Sequence, residues 1–88
     1  TGQARYRAQT LEGLGNAFTG RGYFNEIQQS YTQMLDDYQQ ALDYYDQCIA
    51  QGQGSPDEVI RNDIVSGRCV PSRADVQEII DSFDGGQG

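Results

Sequence analysis

Apolar and polar positions repeat with a seven-residue beat through the middle of the chain. Three consecutive heptads can be superposed: Ser30-Tyr31-Thr32-Gln33-Met34-Leu35-Asp36, Asp37-Tyr38-Gln39-Gln40-Ala41-Leu42-Asp43 and Tyr44-Tyr45-Asp46-Gln47-Cys48-Ile49-Ala50. The apolar line Ile27, Tyr31, Met34, Tyr38, Ala41, Tyr45, Cys48 alternates steps of four and three, which places Tyr31, Tyr38 and Tyr45 at heptad position a and the others at d. Leu35, Leu42 and Ile49 fall at e and widen the stripe, as in a bundle helix that packs on two neighbours. With Asn25 as N-cap the pattern predicts a helix over 25–51, about 40 Å long and the spine of the fold. Gln29, Gln33, Gln40, Gln47, Asp36, Asp43 and Asp46 form its solvated face.

Weaker periodicity flanks this spine. Ala4, Ala8, Leu11, Gly15 and Phe18, with Leu14 beside them, predict a first helix over 3–18. Gly13 and Gly15 oppose it by about 1 kcal/mol each, and such glycines mark either a fraying end or a close approach by another part of the chain. Thr19-Gly20-Arg21-Gly22 reads as a turn; it lacks the strand before it and the Gly-Lys-Ser/Thr after it that a phosphate cradle requires. After Gly52-Gln53-Gly54, Ser55-Pro56-Asp57-Glu58 has the form of a capping box with proline in the first turn, opening a helix over 56–66 that Gly67 would cap. A last helix over 73–83 starts from Ser72 and carries Val76, Ile79, Ile80 and Phe83 on one face, leaving 85–88 as a flexible Gly-rich tail. The expectation is an all-α domain over 1–84, a small three- or four-helix bundle around one long central helix. Its core would hold Leu35, Leu42, Ile49, Ile60, Ile64, Val76, Ile79, Ile80 and Phe83.

Composition makes a staple important. Leu, Ile, Val and Phe number 17 of 88 residues, so the six tyrosines must help to fill the core. A domain this small buries a modest share of its surface. Joining Cys48 to Cys69 would close a 22-residue loop and contribute about 3 kcal/mol in the chain-entropy model. The expected disulfide, together with a chain that begins at Thr1, favours an extracytoplasmic location, periplasmic or secreted.

Charge and residue types narrow the chemistry. The formal net charge is −7, from 6 arginines against 13 acids, and lysine, histidine and tryptophan are absent. Such acidity repels phosphate backbones, so nucleic acid is an improbable ligand. No apolar run approaches the roughly 18 residues of a membrane span. Without histidine, and with its cysteines paired, the chain lacks the usual nucleophiles, bases and zinc ligands; we expect no catalytic residue, no cofactor and no enzyme activity. The pairs Asp36/Asp37, Asp43/Asp46 and Asp57/Glu58 fit no calcium loop, so no metal site is assigned, and Asp57 and Glu58 suit the positive end of a helix dipole.

Binding is the remaining chemistry. Residues 22–60 hold seven acids, no base and five tyrosines, a surface complementary to a basic protein partner, with self-association through helix faces as the other possibility. Tyr23, Phe24 and Tyr44, expected at exposed or rim positions, and Asp36, Asp43 and Asp46 are the candidate interface residues. The functional expectation is a non-enzymatic exported binding or accessory subunit acting within a larger assembly. An acidic inhibitor or immunity protein that neutralises a toxin or enzyme with a basic surface is the alternative.

Two family resemblances touch short stretches. Leu14-Gly15-x-x-Phe18-x-x-x-Gly22, followed by Ile27 and Tyr31, resembles one tetratricopeptide repeat, and Asp37-Tyr38-Gln39-Gln40-Ala41-Leu42-Asp43-Tyr44-Tyr45 echoes its second helix. The echo arrives well short of that family's roughly 34-residue period, so generic amphipathic helices account for it. Size, acidity and helical make-up are similar to those of bacterial toxin-immunity proteins, and Cys69-Val70-Pro71 before an amphipathic helix resembles exported members of that group. That resemblance implies the inhibitor function.

Overall fold

In a computed structural model the chain forms α1 (Gly2–Ile27), α2 (Tyr31–Gly52), a π-helical segment (Val59–Cys69) and α3 (Val70–Gln87). Residues 2–83 are fully described, and of 84–87 only their place in α3; the tail expected at 85–88 lies outside the fully described residues. The bundle is all-α and elongated, 43 × 19 × 14 Å. α2 is its hub, packed on α1, the π segment and α3. The π segment touches both α1 and α2, whereas α3 packs on α2 and scarcely meets α1.

The first helix is longer than its pattern suggested. It continues through Thr19-Gly20-Arg21-Gly22, which is helix and not the expected turn. The steps Ala4, Ala8, Leu11, Gly15, Phe18 in fact carry on to Gly22, and Ala8, Gly15 and Gly22 are the buried positions. The two glycines are seats for tyrosine rings. A methyl at Gly15 would overlap the Tyr45 ring, and one at Gly22 the Tyr38 ring. Both rings are about 1% exposed, and they stand seven residues apart on α2 as the glycines do on α1. Where α1 offers no side chain, an aromatic ring fills the space between the helices.

The reversal falls later, at Gln28-Gln29-Ser30, so Asn25 does not cap the spine and α2 begins at Tyr31. Gln29 donates to the Glu26 carbonyl at 3.0 Å and Ser30 to that of Asn25 at 2.8 Å, the paired bonds of a Schellman motif. Gln29 occupies the left-handed position of that motif with φ 61°. Ile27, assigned by its spacing to the spine, ends α1 instead and is exposed.

Beyond α2, Ser55 Oγ accepts from the Asp57 backbone N–H at 3.1 Å and Asp57 Oδ1 from that of Val59 at 2.9 Å. Glu58 takes no part in a side-chain cap. Gly67 does not end the segment, which winds on to Cys69 and passes directly into α3, with Val70 donating its N–H to the Val65 carbonyl. Cys69 therefore closes a helical stretch and is not in a turn. It is bonded to Cys48, with Cα atoms 6.4 Å apart, and pins this rod to the end of α2.

The core consists of Met34, Tyr38, Ala41, Leu42, Tyr45 and Cys48 from α2, Ile60, Ile64, Val65 and Cys69 from the π segment, Val76 and Ile80 from α3, and Ala8. Leu35, Ile49 and Phe83 are only partly buried against it. Ile79 is 37% exposed, a departure from its expected core position. The tyrosines sink so far toward α1 that heptad positions a and d form the seam, and of the e positions only Leu42 joins the core.

Candidate functional site

Tyrosine hydroxyls tie the helix pair together. Tyr45 donates to Asn16 Oδ1 at 2.6 Å and lies 3.2 Å from Thr19 Oγ1; Tyr38 donates to Glu26 Oε1 at 3.1 Å. Burial and the neighbouring Glu26 carboxylate push the Tyr38 hydroxyl up to about 12, and burial raises Tyr45. Two rungs of the tyrosine ladder are thus structural. Tyr31, the third, is 42% exposed with its ring 5.2 Å from that of Phe83.

The predicted interface residues separate on folding. Tyr23 and Phe24 are 61% and 59% exposed near the turn end of α1, where Ile27 adds a third large apolar side chain. Tyr44 is half-buried, stacked on Phe18 at 5.5 Å. Asp36 and Asp43 are exposed on α2, while Asp46 binds Arg73 of α3. The acidic face expected along α2 is therefore interrupted by a cation reaching over from a neighbouring helix.

Arginines also neutralise carboxylates elsewhere. Arg5 pairs with Asp57 at 2.7 Å and holds that carboxyl below the usual range. Arg68 bridges Glu12 at 3.3 Å and Asp63 at 2.9 Å. Arg21 lies over the Phe18 ring and 3.8 Å from Asp37. Asp37 was read as solvated but is buried, accepting from Asn25 Nδ2 at 2.6 Å. Its place beside Tyr38 in the heptad gave no sign of this, because the partner is the Asn25 expected to start α2.

A groove that sequence reasoning missed lies between the turn end of α1 and α3. Its volume is about 520 Å³; Met34, Ile79 and Phe83 supply apolar lining, and Glu26, Asp75 and Glu78 supply carboxylates. None of these three carboxylates is ion-paired with an arginine among the described residues. Tyr23 stands one turn before Glu26, so its exposed ring adjoins one wall of the groove. The sequence signal was the unmatched acids Asp75 and Glu78, both on the Ile79 side of the Val76–Ile79–Ile80 stripe.

Among the described residues no three His, Cys, Asp or Glu side chains are grouped to hold a metal ion. No described helix is long and apolar enough to cross a membrane. No family model, no curated protein and no solved structure matches the chain.

Proposed function

We propose that this protein is a non-enzymatic, exported binding module, an accessory subunit that works through protein–protein contacts within a larger assembly. The observation that carries the reading is the set of large side chains left in water at the turn end, Tyr23, Phe24, Ile27 and Tyr31, on a chain poor in apolar residues. Tyrosine and phenylalanine combine contact area with few rotamers to lose, and burial against a partner is their favourable outcome. The disulfide supports export. A second reading, an acidic inhibitor of a basic toxin or enzyme, draws its support from the net charge of −7.

Size-exclusion chromatography with light scattering on native source extract separates the two. A subunit elutes with a larger assembly, and Tyr23→Ala/Phe24→Ala releases it as a folded monomer. Elution of the unsubstituted chain as a monomer throughout overturns the subunit reading.

A further inference from the structure

We propose that the groove between α1 and α3 receives one amphipathic helix of a partner protein, with an apolar stripe flanked by arginine or lysine. The inference rests on the binding-module reading and names the partner's chemistry.

Shape gives the first argument. The π segment fills the interval between α1 and α2 at the disulfide end, but α3 follows α2 alone, so the turn end keeps an open position for a further rod. Met34 is buried at the groove's floor, with Ile79 and Phe83 on the α3 side. From Asp75 to Phe83 is about 12 Å of helix, enough for an occupant's anchors at i, i+3 or i+4, and i+7. Methionine adapts its shape to such an anchor.

Charge gives the second. The groove carries Glu26, Asp75 and Glu78 without an arginine among its lining residues. Glu26 is held in place by the Tyr38 hydroxyl, which donates to it. An apolar floor between anionic walls favours an apolar stripe with cationic edges and repels an acidic helix. A second copy of this chain matches poorly, because it brings a net charge of −7 to the same place.

The test uses the full-length oxidised protein and two synthetic helical peptides, each with leucine at i, i+4 and i+7, one flanked by arginine and the other by glutamate. Binding is followed by fluorescence anisotropy and by methyl NMR of Met34 and Ile79. The arginine peptide is expected to bind with micromolar Kd and shift both methyl signals, and the glutamate peptide to bind at least tenfold more weakly. Asp75→Asn/Glu78→Gln should weaken the arginine peptide about five- to tenfold, and Ile79→Arg should abolish its binding while the helical circular dichroism persists. Equal binding of the two peptides, shifts confined to other residues, or indifference to both variants overturns the proposal. So does a concentration-dependent dimer that Ile79→Arg dissolves, since the occupant is then a second copy. Should Ile79→Arg leave the native assembly intact while Tyr23→Ala/Phe24→Ala disperses it, the groove fails and the binding-module reading stands; a monomer in native extract removes that reading whatever the peptides do.

Discussion

Four glycines of α1 test whether tyrosine rings occupy the helix pair's seam as described. Gly13 and Gly20 face open space, with nothing within 4 Å of an added methyl, whereas Gly15 and Gly22 lie beneath Tyr45 and Tyr38. Alanine at Gly13 or Gly20 should stabilise by about 1 kcal/mol through helix propensity alone. At Gly15 the same gain opposes overlap with three atoms of a ring that cannot withdraw, because its hydroxyl is bound to Asn16 and adjoins Thr19 on the same helix. Overpacking a close-packed seam costs about 1–3 kcal/mol. With the ring so confined we take the upper end, for a net loss of about 2 kcal/mol. The two classes should then differ by about 3 kcal/mol, more than 10 °C in midpoint at the 4–8 °C per kcal/mol of a domain this size. Thermal and urea unfolding followed by circular dichroism measure this directly. If Gly15→Ala and Gly22→Ala raise the midpoint as much as Gly13→Ala does, the rings are not seated on α1 and the helix pairing is wrong.

Replacing both Cys48 and Cys69 by serine should cost about 3 kcal/mol, given 21 residues of separation, and thiol titration of the denatured, unreduced protein should find no reactive cysteine. Tyr38, raised from 10.0 to about 12, contributes stability that is complete below pH 10 and disappears as pH climbs through 12. Tyr38→Phe should accordingly flatten alkaline unfolding between those values, and an unchanged profile would assign the transition to other groups. Gln29→Gly should raise stability by about 1 kcal/mol in urea titration, since glycine accepts the left-handed conformation without a Cβ penalty.

The class of fold, the disulfide and the central helix were legible because each rests on a repeated signal: three heptads, one cysteine pair, and apolar spacing near 3.6. The position of the first reversal was not. Glycine at 19–22 imitates a break, while the actual turn uses Gln29 in a conformation that glycine normally supplies. Propensity lost to packing, since Gly22 is required under Tyr38. The continued four-three spacing through Gly22 to Asn25 was the available clue. Tyr23 and Phe24 were placed correctly in water because they fall outside that spacing. Asp46 and Tyr44 were read as free on α2 because their partners, Arg73 and Phe18, lie on helices whose rotation about their own axes the sequence does not state. The groove was invisible for the same reason, since it is built from residues of α1, α2 and α3 that no spacing along the chain relates.

The rotation of α3 about its own axis depends on the π winding. At about 100° per residue, Ile60 and Cys69 would face opposite sides of an α-helix, and Ile60 and Val76 would stand about 160° apart. With about 4.4 residues per turn over Val59–Cys69, Ile60, Ile64, Val65, Cys69, Val76 and Ile80 fall within about 80° on one side of a continuous rod, in keeping with the burial of all six. Eleven π residues lag α winding by about 200°, the turn that two α residues supply, and π winding rises less per residue, so nine α residues span nearly the same length. Deleting Ser66 and Gly67, both exposed, should therefore convert the segment to α-helix with Ile60, Ile64, Cys69, Val76 and Ile80 still on one side and the Cys48–Cys69 bond intact, while Val65 turns about 90° away from the core. The expected outcome is full oxidation and a loss of about 2 kcal/mol, the cost of withdrawing Val65 from the core. Deleting Ser66 alone leaves the stripe about 100° out of register and should cost several core contacts, with a loss of at least about 3 kcal/mol. Equal destabilisation by the one- and two-residue deletions would show that the rotation of α3 is set by something other than the winding that precedes it.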